Sequence, residues 1–304
     1  MRATVAVTGA TGFIGHVFLR SLVASKWQVR ALTRRLRPDD DPSVEWIRGD
    51  LDDVDALQKL VAGAFAVVHC AGTVRGSSQA QFDHTNVAGT ANLVQICTQQ
   101  ELPPRFLLIS SLTAKHPDLS WYAHSKRKAE QILIEHAQCM QWSIFRPTAV
   151  YGPGDHELKP LFRMSKYGFL LMPGLAVSRF SLLHVEDLAA ALLCWLSAPG
   201  CVPGVFELAD SMPEGYDRHT LAAIAQHVWG RSIWVLSLPS FLIFFAAYLN
   251  LWSARLCRYA PMLTPGKVRE LLHPDWLCDN SDLKQSLPDW QPRINLQDAL
   301  PDVI

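Results

Sequence analysis

The turn Thr8-Gly9-Ala10-Thr11-Gly12-Phe13-Ile14-Gly15 constrains this chain more than any other stretch. It joins an apolar run, Ala3–Val7, to an amphipathic helical pattern, Gly12–Ser25, with glycines spaced G-x-x-G-x-x-G. Gly9 suits a tight turn, Gly12 a close approach of backbone to a pyrophosphate, and Gly15 close packing of helix on strand. A phosphate then sits at a helix N-terminus, facing unpaired N–H groups. Strand before, helix after and a place near residue 1 are the context in which such a turn holds a dinucleotide. A helix-packing turn without a ligand is the alternative.

The first half of the chain repeats that strand-to-helix alternation. Gln28–Leu32, Ala66–His69, Phe106–Ile109 and Ser143–Phe145 are short apolar runs, as strands buried on both faces of a parallel sheet require. Between them Val54–Val61, Ala80–Gln99 and Trp121–Ala137 read as helices. The alternation predicts an α/β fold, a Rossmann-type doubly wound parallel sheet over residues 1–150. Residues 151–304 form mainly a smaller C-terminal substrate-binding lobe over the carboxyl ends of the strands, with some segments returning to the first domain. In that half Glu186–Ala198 and Asp217–Trp229 read as helices, the latter closed by Gly230, and Gly204–Ala209 as a strand. Thr264-Pro265 caps and opens a further helix to about His273.

Enzymes that use NAD keep an Asp or Glu about 20 residues beyond the glycine turn, on the ribose 2′-OH. Here the second strand ends Thr33-Arg34-Arg35, with no carboxylate and two guanidinium groups. That favours NADP over NAD, with Arg34 on the 2′-phosphate and Arg35 a solvated charge. Asp50 and Leu51, after the third strand, suit the adenine end. His69-Cys70-Ala71-Gly72 closes the fourth strand and lines the dinucleotide, His69 being equally a structural residue.

Trp121-Tyr122-Ala123-His124-Ser125-Lys126 contains Y-x-x-x-K. On a helix this spacing puts the Lys126 ammonium and the Tyr122 phenol on one face, where a cation favours the phenolate. The spacing alone is common. Ser110 and Ser111 add hydroxyls at the end of the strand closing at Ile109, with Ser111 placed to hold a substrate oxygen. Asn86, an amide in a helical stretch, suits a polar task such as holding a water beside Lys126.

Together these residues resemble the extended short-chain dehydrogenase/reductase family, which includes the NAD-dependent epimerases and dehydratases. The matches are T-G-A-T-G-F-I-G at 8–15, N-V-x-G-T at 86–90, S-S at 110–111 and Y-x-x-S-K-x-x-A-E at 122–130. R-P-T-x-V-Y-G-P-G-D at 146–155 and H-V-E-D-L-A at 184–189 extend them, and Leu287–Leu300 looks like the family's closing segment. The resemblance implies Tyr122 as acid/base, Lys126 lowering its pKa and holding the nicotinamide ribose, Ser111 orienting substrate and Asn86 supporting the relay. It implies Ile109, Ser110 and Pro147 near the nicotinamide, and a homodimer through the helices carrying Asn86 and Tyr122. The stretch Leu112–Pro117 departs from the family's usual V-Y-G, which leaves the substrate open.

His156–Arg179 contains no Asn, which a nucleotide-sugar enzyme usually has there, and Leu112-Thr113 supplies no dehydratase Asp-Glu pair. The stretch from Met172 to His184 looks closer to the 3β-hydroxysteroid dehydrogenase and dihydroflavonol reductase branch. The reading is therefore hydride transfer between NADP and a hydrophobic secondary alcohol or ketone. A nucleotide-sugar epimerase or dehydratase and an idle NADP-binding sensor are the alternatives. Trp229, Trp234, Phe241, Phe244, Phe245, Tyr248 and Trp252 line an apolar pocket or form the lobe's own core. Ser232–Ala254 is uncharged, but Pro239 divides it into a strand and a helix short for a membrane span, leaving weak membrane-surface contact as an option.

Lys+Arg and Asp+Glu number 28 each, so no charge excess points to nucleic acid and the expected partner is a small molecule. Seven scattered cysteines without a C-x-x-C pair read as reduced, mostly buried thiols, and no metal site is expected. No secretory signal is recognised at the start, so the cytoplasm is the expected location.

Overall fold

The computed structural model describes residues 3–35, 42–137, 140–174, 178–200 and 202–304. Six strands build the first half: β1 Thr4–Thr8, β2 Gln28–Thr33, β3 Val44–Arg48, β4 Ala66–His69, β5 Arg105–Ile109 and β6 Trp142–Pro147. They form one parallel sheet in the order β6-β5-β4-β1-β2-β3, and the strand Gly204–Leu208 pairs in parallel with β6 as a seventh. The strand order reverses at β1 and β4, the topological switch point at which open α/β sheets bind ligands.

Alternate residues of each strand enter opposite cores. Val5 and Val7 of β1 and Leu107 and Ile109 of β5 pack with helix α1, Phe13–Ala24, and with the helix Val185–Ser197. Ala6, Phe106 and Leu108 pack on the other side with helices α2, Val54–Val61, α4, Gly89–Thr98, and α5, Trp121–His136. Burial on both faces explains why these strands read as unbroken apolar runs. Later chain threads back into the sheet. Trp290 is buried in the α1-side core, and the Asp187 carboxylate accepts the backbone N–H groups of Arg293 and Ile294.

The lobe has its own core around Tyr151, Phe162, Leu170, Tyr216 and Leu221. Asp217 caps the helix Arg218–Trp229, which ends in a left-handed Gly230, and Thr264 caps the helix Pro265–Leu271, as the turn chemistry predicts. The expected helix Ala80–Gln99 differs from the prediction. It is a short α3, Gln79–Phe82, then a π-helical stretch Asp83–Ala88, then α4. The one-residue widening places Asn86 on the inner face, and such bulges recur at functional sites.

Three other expectations change. Trp234, Phe241, Phe245, Tyr248 and Trp252 are exposed, so they are not the lobe's core. The helix Ser240–Cys257 is 18 residues long and apolar enough to cross a membrane by length and composition, although Ile243, Ala247, Leu251 and Ala254 bury one stripe against the lobe. Five described cysteines are free thiols, but Cys257 is exposed rather than buried; Cys139 and Cys201 lie outside the described residues.

Candidate active site

Gly9 has φ +71, and a Cβ there would lie 2.6 Å from the Ala71 amide nitrogen. A Cβ on Gly15 would lie 2.1 Å from the Gly9 carbonyl oxygen. Both positions are closed to any side chain, so the turn after β1 is pressed against Cys70-Ala71-Gly72 at the strand-order reversal. Gly12 begins α1 with no side-chain cap, while Thr11 and Gly12 are exposed and Phe13 and Ile14 half-buried. The uncapped N–H groups of the first turn are the donor set a pyrophosphate needs.

At the adenosine end the β2–β3 register sets Arg48 opposite Thr33. Arg34 and Arg48, with Gly49, Asp50 and Asp53, line a hollow of about 350 Å³. Arg48 escaped the sequence reading. It has no motif of its own, and only strand pairing brings it beside Arg34. Leu51 packs on Gly89, where a Cβ would come within 2.5 Å of its Cδ1, and Asn92 donates to its carbonyl at 2.9 Å. The donor cradle fits the pyrophosphate of a dinucleotide, with two guanidinium groups lining the hollow beside it.

Beneath it, His69 is a structural link. Thr90 Oγ1 donates to the Asn86 carbonyl at 2.7 Å, so it accepts from His69 Nε2, 3.0 Å away. That leaves His69 Nδ1 to accept from the Thr8 hydroxyl at 2.6 Å. Full burial pushes the His69 pKa down to about 3, consistent with this neutral tautomer.

Lys126 Nζ donates to the Ile109 carbonyl at 2.9 Å, and a Cβ on Gly72 would lie 3.2 Å from the same ammonium. Burial lowers its pKa to about 8, opposed by the Glu130 carboxylate. Burial raises the Cys70 thiol to about 12, so it is a neutral neighbour. Asn86 is 2% exposed and fully committed. Its Oδ1 accepts from Thr73 N at 2.8 Å, and its Nδ2 donates to Thr73 O at 3.1 Å and Ser125 Oγ at 2.9 Å. Through these bonds Asn86, expected among the catalytic residues, ties the loop after β4 to α5. The Ser110 hydroxyl, expected toward the dinucleotide, donates to Glu130 at 2.5 Å. Glu130 is fully buried and holds Arg146 Nε at 2.8 Å and Nη2 at 2.5 Å, so this triad locks α5 to β5 and β6.

Ser120 caps α5 through the Ala123 amide. Tyr122, in the first turn, lies near the Ser111 hydroxyl, and its ring lies 6.2 Å from that of Phe82. Burial raises the phenol's pKa, the nearby Ser111 hydroxyl works the other way, and the Glu270 carboxylate raises it further. Glu270 comes from the lobe, buried, accepting from the Ser120 hydroxyl and from Lys267 at 2.9 Å. Pro147 closes β6 opposite Leu208. The altered stretch after Ser111 docks the lobe, since His116 stacks on His273 at 4.5 Å and Leu119 O accepts from Arg269 at 2.8 Å. A cleft of about 580 Å³ is walled by Trp121, the residue before Tyr122 in the chain, with Tyr248, Leu251, Trp252, Arg255, Pro265, Gly266 and Arg269.

The seven-stranded sheet, the glycine turn and the Ser111–Tyr122–Lys126 arrangement define a dinucleotide-dependent oxidoreductase or epimerase of Rossmann type. The family model described as NAD dependent epimerase/dehydratase family matches residues 5–209, and the chain belongs to that family. It is 36% identical over 291 residues, 94% of this chain and 90% of the relative, to a ceramide reductase of Caulobacter vibrioides. It is 31% identical to a 2-alkyl-3-oxoalkanoate reductase of Stenotrophomonas maltophilia, over 65% of this chain and 66% of that one. The solved structure of MoeE5 with UDP-glucuronic acid and NAD shares the fold, with a TM-score of 0.75, 22% identity and coverage of 99% and 97% of the two chains.

Proposed function

We propose that this protein reduces a ketone carried on a long-chain, hydrophobic molecule, with NADPH as the reductant. The observation that carries the reading is a cleft walled by Trp121, Tyr248, Leu251 and Trp252, in which Trp121 immediately precedes Tyr122 on α5. Two relatives support it, one named for ceramide, a long-chain lipid amide, the other for an alkyl-substituted 3-oxo acid. When bound, the nicotinamide supplies the hydride. Ser111 donates to the carbonyl oxygen and holds it near Tyr122. As the carbonyl carbon gains the hydride, its oxygen takes the phenolic proton of Tyr122, which is restored from solvent. A phenol whose pKa is raised is protonated at neutral pH, so it carries the proton that the carbonyl oxygen takes up. Lys126 stands at the Ile109 carbonyl, placed to hold the nicotinamide ribose, and Arg34 and Arg48 hold the 2′-phosphate.

The test follows NADPH absorbance with long-chain 3-ketones, short-chain ketones and UDP-sugars. Net oxidation that increases with chain length is expected. Sugar interconversion without net cofactor oxidation would overturn the reading. Tyr122→Phe should lower turnover by about 10²–10⁴-fold while NADPH affinity is unchanged; surviving turnover would remove Tyr122 from the proton-donor role.

A further inference from the structure

The helix Ser240–Cys257 presents two opposite stripes. Ile243, Ala247, Leu251 and Ala254 are buried, and the first two pack with Val268 of the lobe. Phe241, Phe245, Tyr248, Trp252 and Leu256 recur at helical spacing on the other side, each 60–69% exposed. Leu242 and Leu249 widen that stripe, and Trp234 and Leu236 are exposed on the strand leading into the helix. Five such side chains expose on the order of 600 Å². A soluble monomer rarely leaves so large an apolar patch uncovered.

Charge selects the occupant. Between Asp217 and Glu270 the chain has no Asp or Glu, while Arg231 precedes the helix, Arg255 stands in its last turn and Arg258 follows it, all three exposed. Lys159–Arg179, which supplies the strand Phe169–Pro173 paired to Trp234–Leu238, likewise has no acid but carries Arg163 and Lys166. A second copy meeting this face across a two-fold axis would set arginines against arginines with no carboxylate between them. An anionic phospholipid surface supplies the missing negative charge, and Trp and Tyr side chains favour the headgroup level. A spanning helix would have to abandon the packing on Val268 and the hydrogen bond from Asn250 to Leu263 O at 2.8 Å.

We infer that the Phe241–Leu256 face is a monotopic docking surface, lying in the headgroup–acyl boundary of an anionic bilayer. Tyr248 and Trp252 belong both to this face and to the wall of the cleft that contains Trp121. A lipid leaving the bilayer along these two rings is brought to the residue adjoining Tyr122. That delivery route rests on the hydrophobic-ketone reading, whereas the docking surface does not.

The experiment floats the purified full-length protein with vesicles of pure phosphatidylcholine and with an equimolar mixture of phosphatidylcholine and phosphatidylglycerol. Wild type is expected to float with the mixed vesicles and only weakly with the neutral ones. The double variant Phe241→Gln/Phe245→Gln, altered only at exposed positions, should bind about tenfold more weakly or worse. Arg231→Gln/Arg258→Gln should lose the preference for phosphatidylglycerol. Both variants should keep NADPH affinity and turnover on a short-chain ketone, which shows that they are folded. Protein that stays in solution with both vesicle types would overturn the inference. So would a dimer, seen by sedimentation, that Phe241→Gln/Phe245→Gln dissociates. Absence of ketone turnover would sink the proposed reaction and leave the vesicle result standing.

Discussion

Tyr122 and Lys126 occupy one helix turn but answer to different surroundings. The phenol is held protonated by burial and by Glu270, while burial brings the ammonium of Lys126 down to about 8. Lys126 is charged below that value and neutral above it, so the bond to a ribose hydroxyl proposed for it would weaken as pH rises. NADPH affinity should therefore fall through about pH 8, and Lys126→Met, already neutral, should show weaker but pH-independent binding. A wild-type profile flat to pH 10 would refute this role. The two guanidinium groups at the adenosine end permit a separate check. Arg34→Ala and Arg48→Ala should each weaken NADPH by about tenfold and leave NADH little changed, as loss of a charge-assisted hydrogen bond implies. Equal losses for the two cofactors in calorimetric titration would show that neither arginine reads the 2′-phosphate.

Helix α5 delivers both residues, and its placement depends on contacts that its own sequence does not specify. Asn86 in the π-helical stretch holds Ser125, Glu130 joins Ser110 to Arg146, and Glu270 reaches from the lobe to Ser120. Glu130 is fully buried, so Glu130→Ala would strand Arg146 without its partner. Removal of one member of such a pair costs about 3–5 kcal/mol, and chemical denaturation should show a loss of that order. A loss below about 1 kcal/mol would mean that the triad does not secure the helix. The run Ala80–Gln99 predicts one helix because its apolar positions keep helical spacing. The widened turn at Asp83–Ala88 depends on what Asn86 bonds to across space.

Across the whole molecule, the sheet and the lobe share one chain path. Residues beyond 150 add the strand Gly204–Leu208 at the sheet edge, the helix Val185–Ser197 beside α1 and Trp290 within the α1-side core. A fragment of residues 1–150 would expose Leu107, Ile109 and Phe145, which those later segments cover. It should fail to give a cooperative thermal transition, whereas the full chain should melt cooperatively and shift upward with saturating NADPH. A stable, NADPH-binding fragment would show that the sheet folds on its own.

What the sequence determined by itself is what short range encodes. The glycine turn at 8–15, the Y-x-x-x-K step from Tyr122 to Lys126, the caps at Asp217 and Thr264 and the apolar runs of the sheet all depend on spacings within one or two turns of chain. The tertiary structure alone decided the rest. Register set Arg48 opposite Thr33, a buried carboxylate claimed the Ser110 hydroxyl, and Glu270 reached Ser120 across 150 residues. The aromatic run of Trp234–Trp252 shows the limit most plainly. Hydrophobicity records what a side chain avoids, and only the packed molecule shows which of these rings found a neighbour and which still face outward.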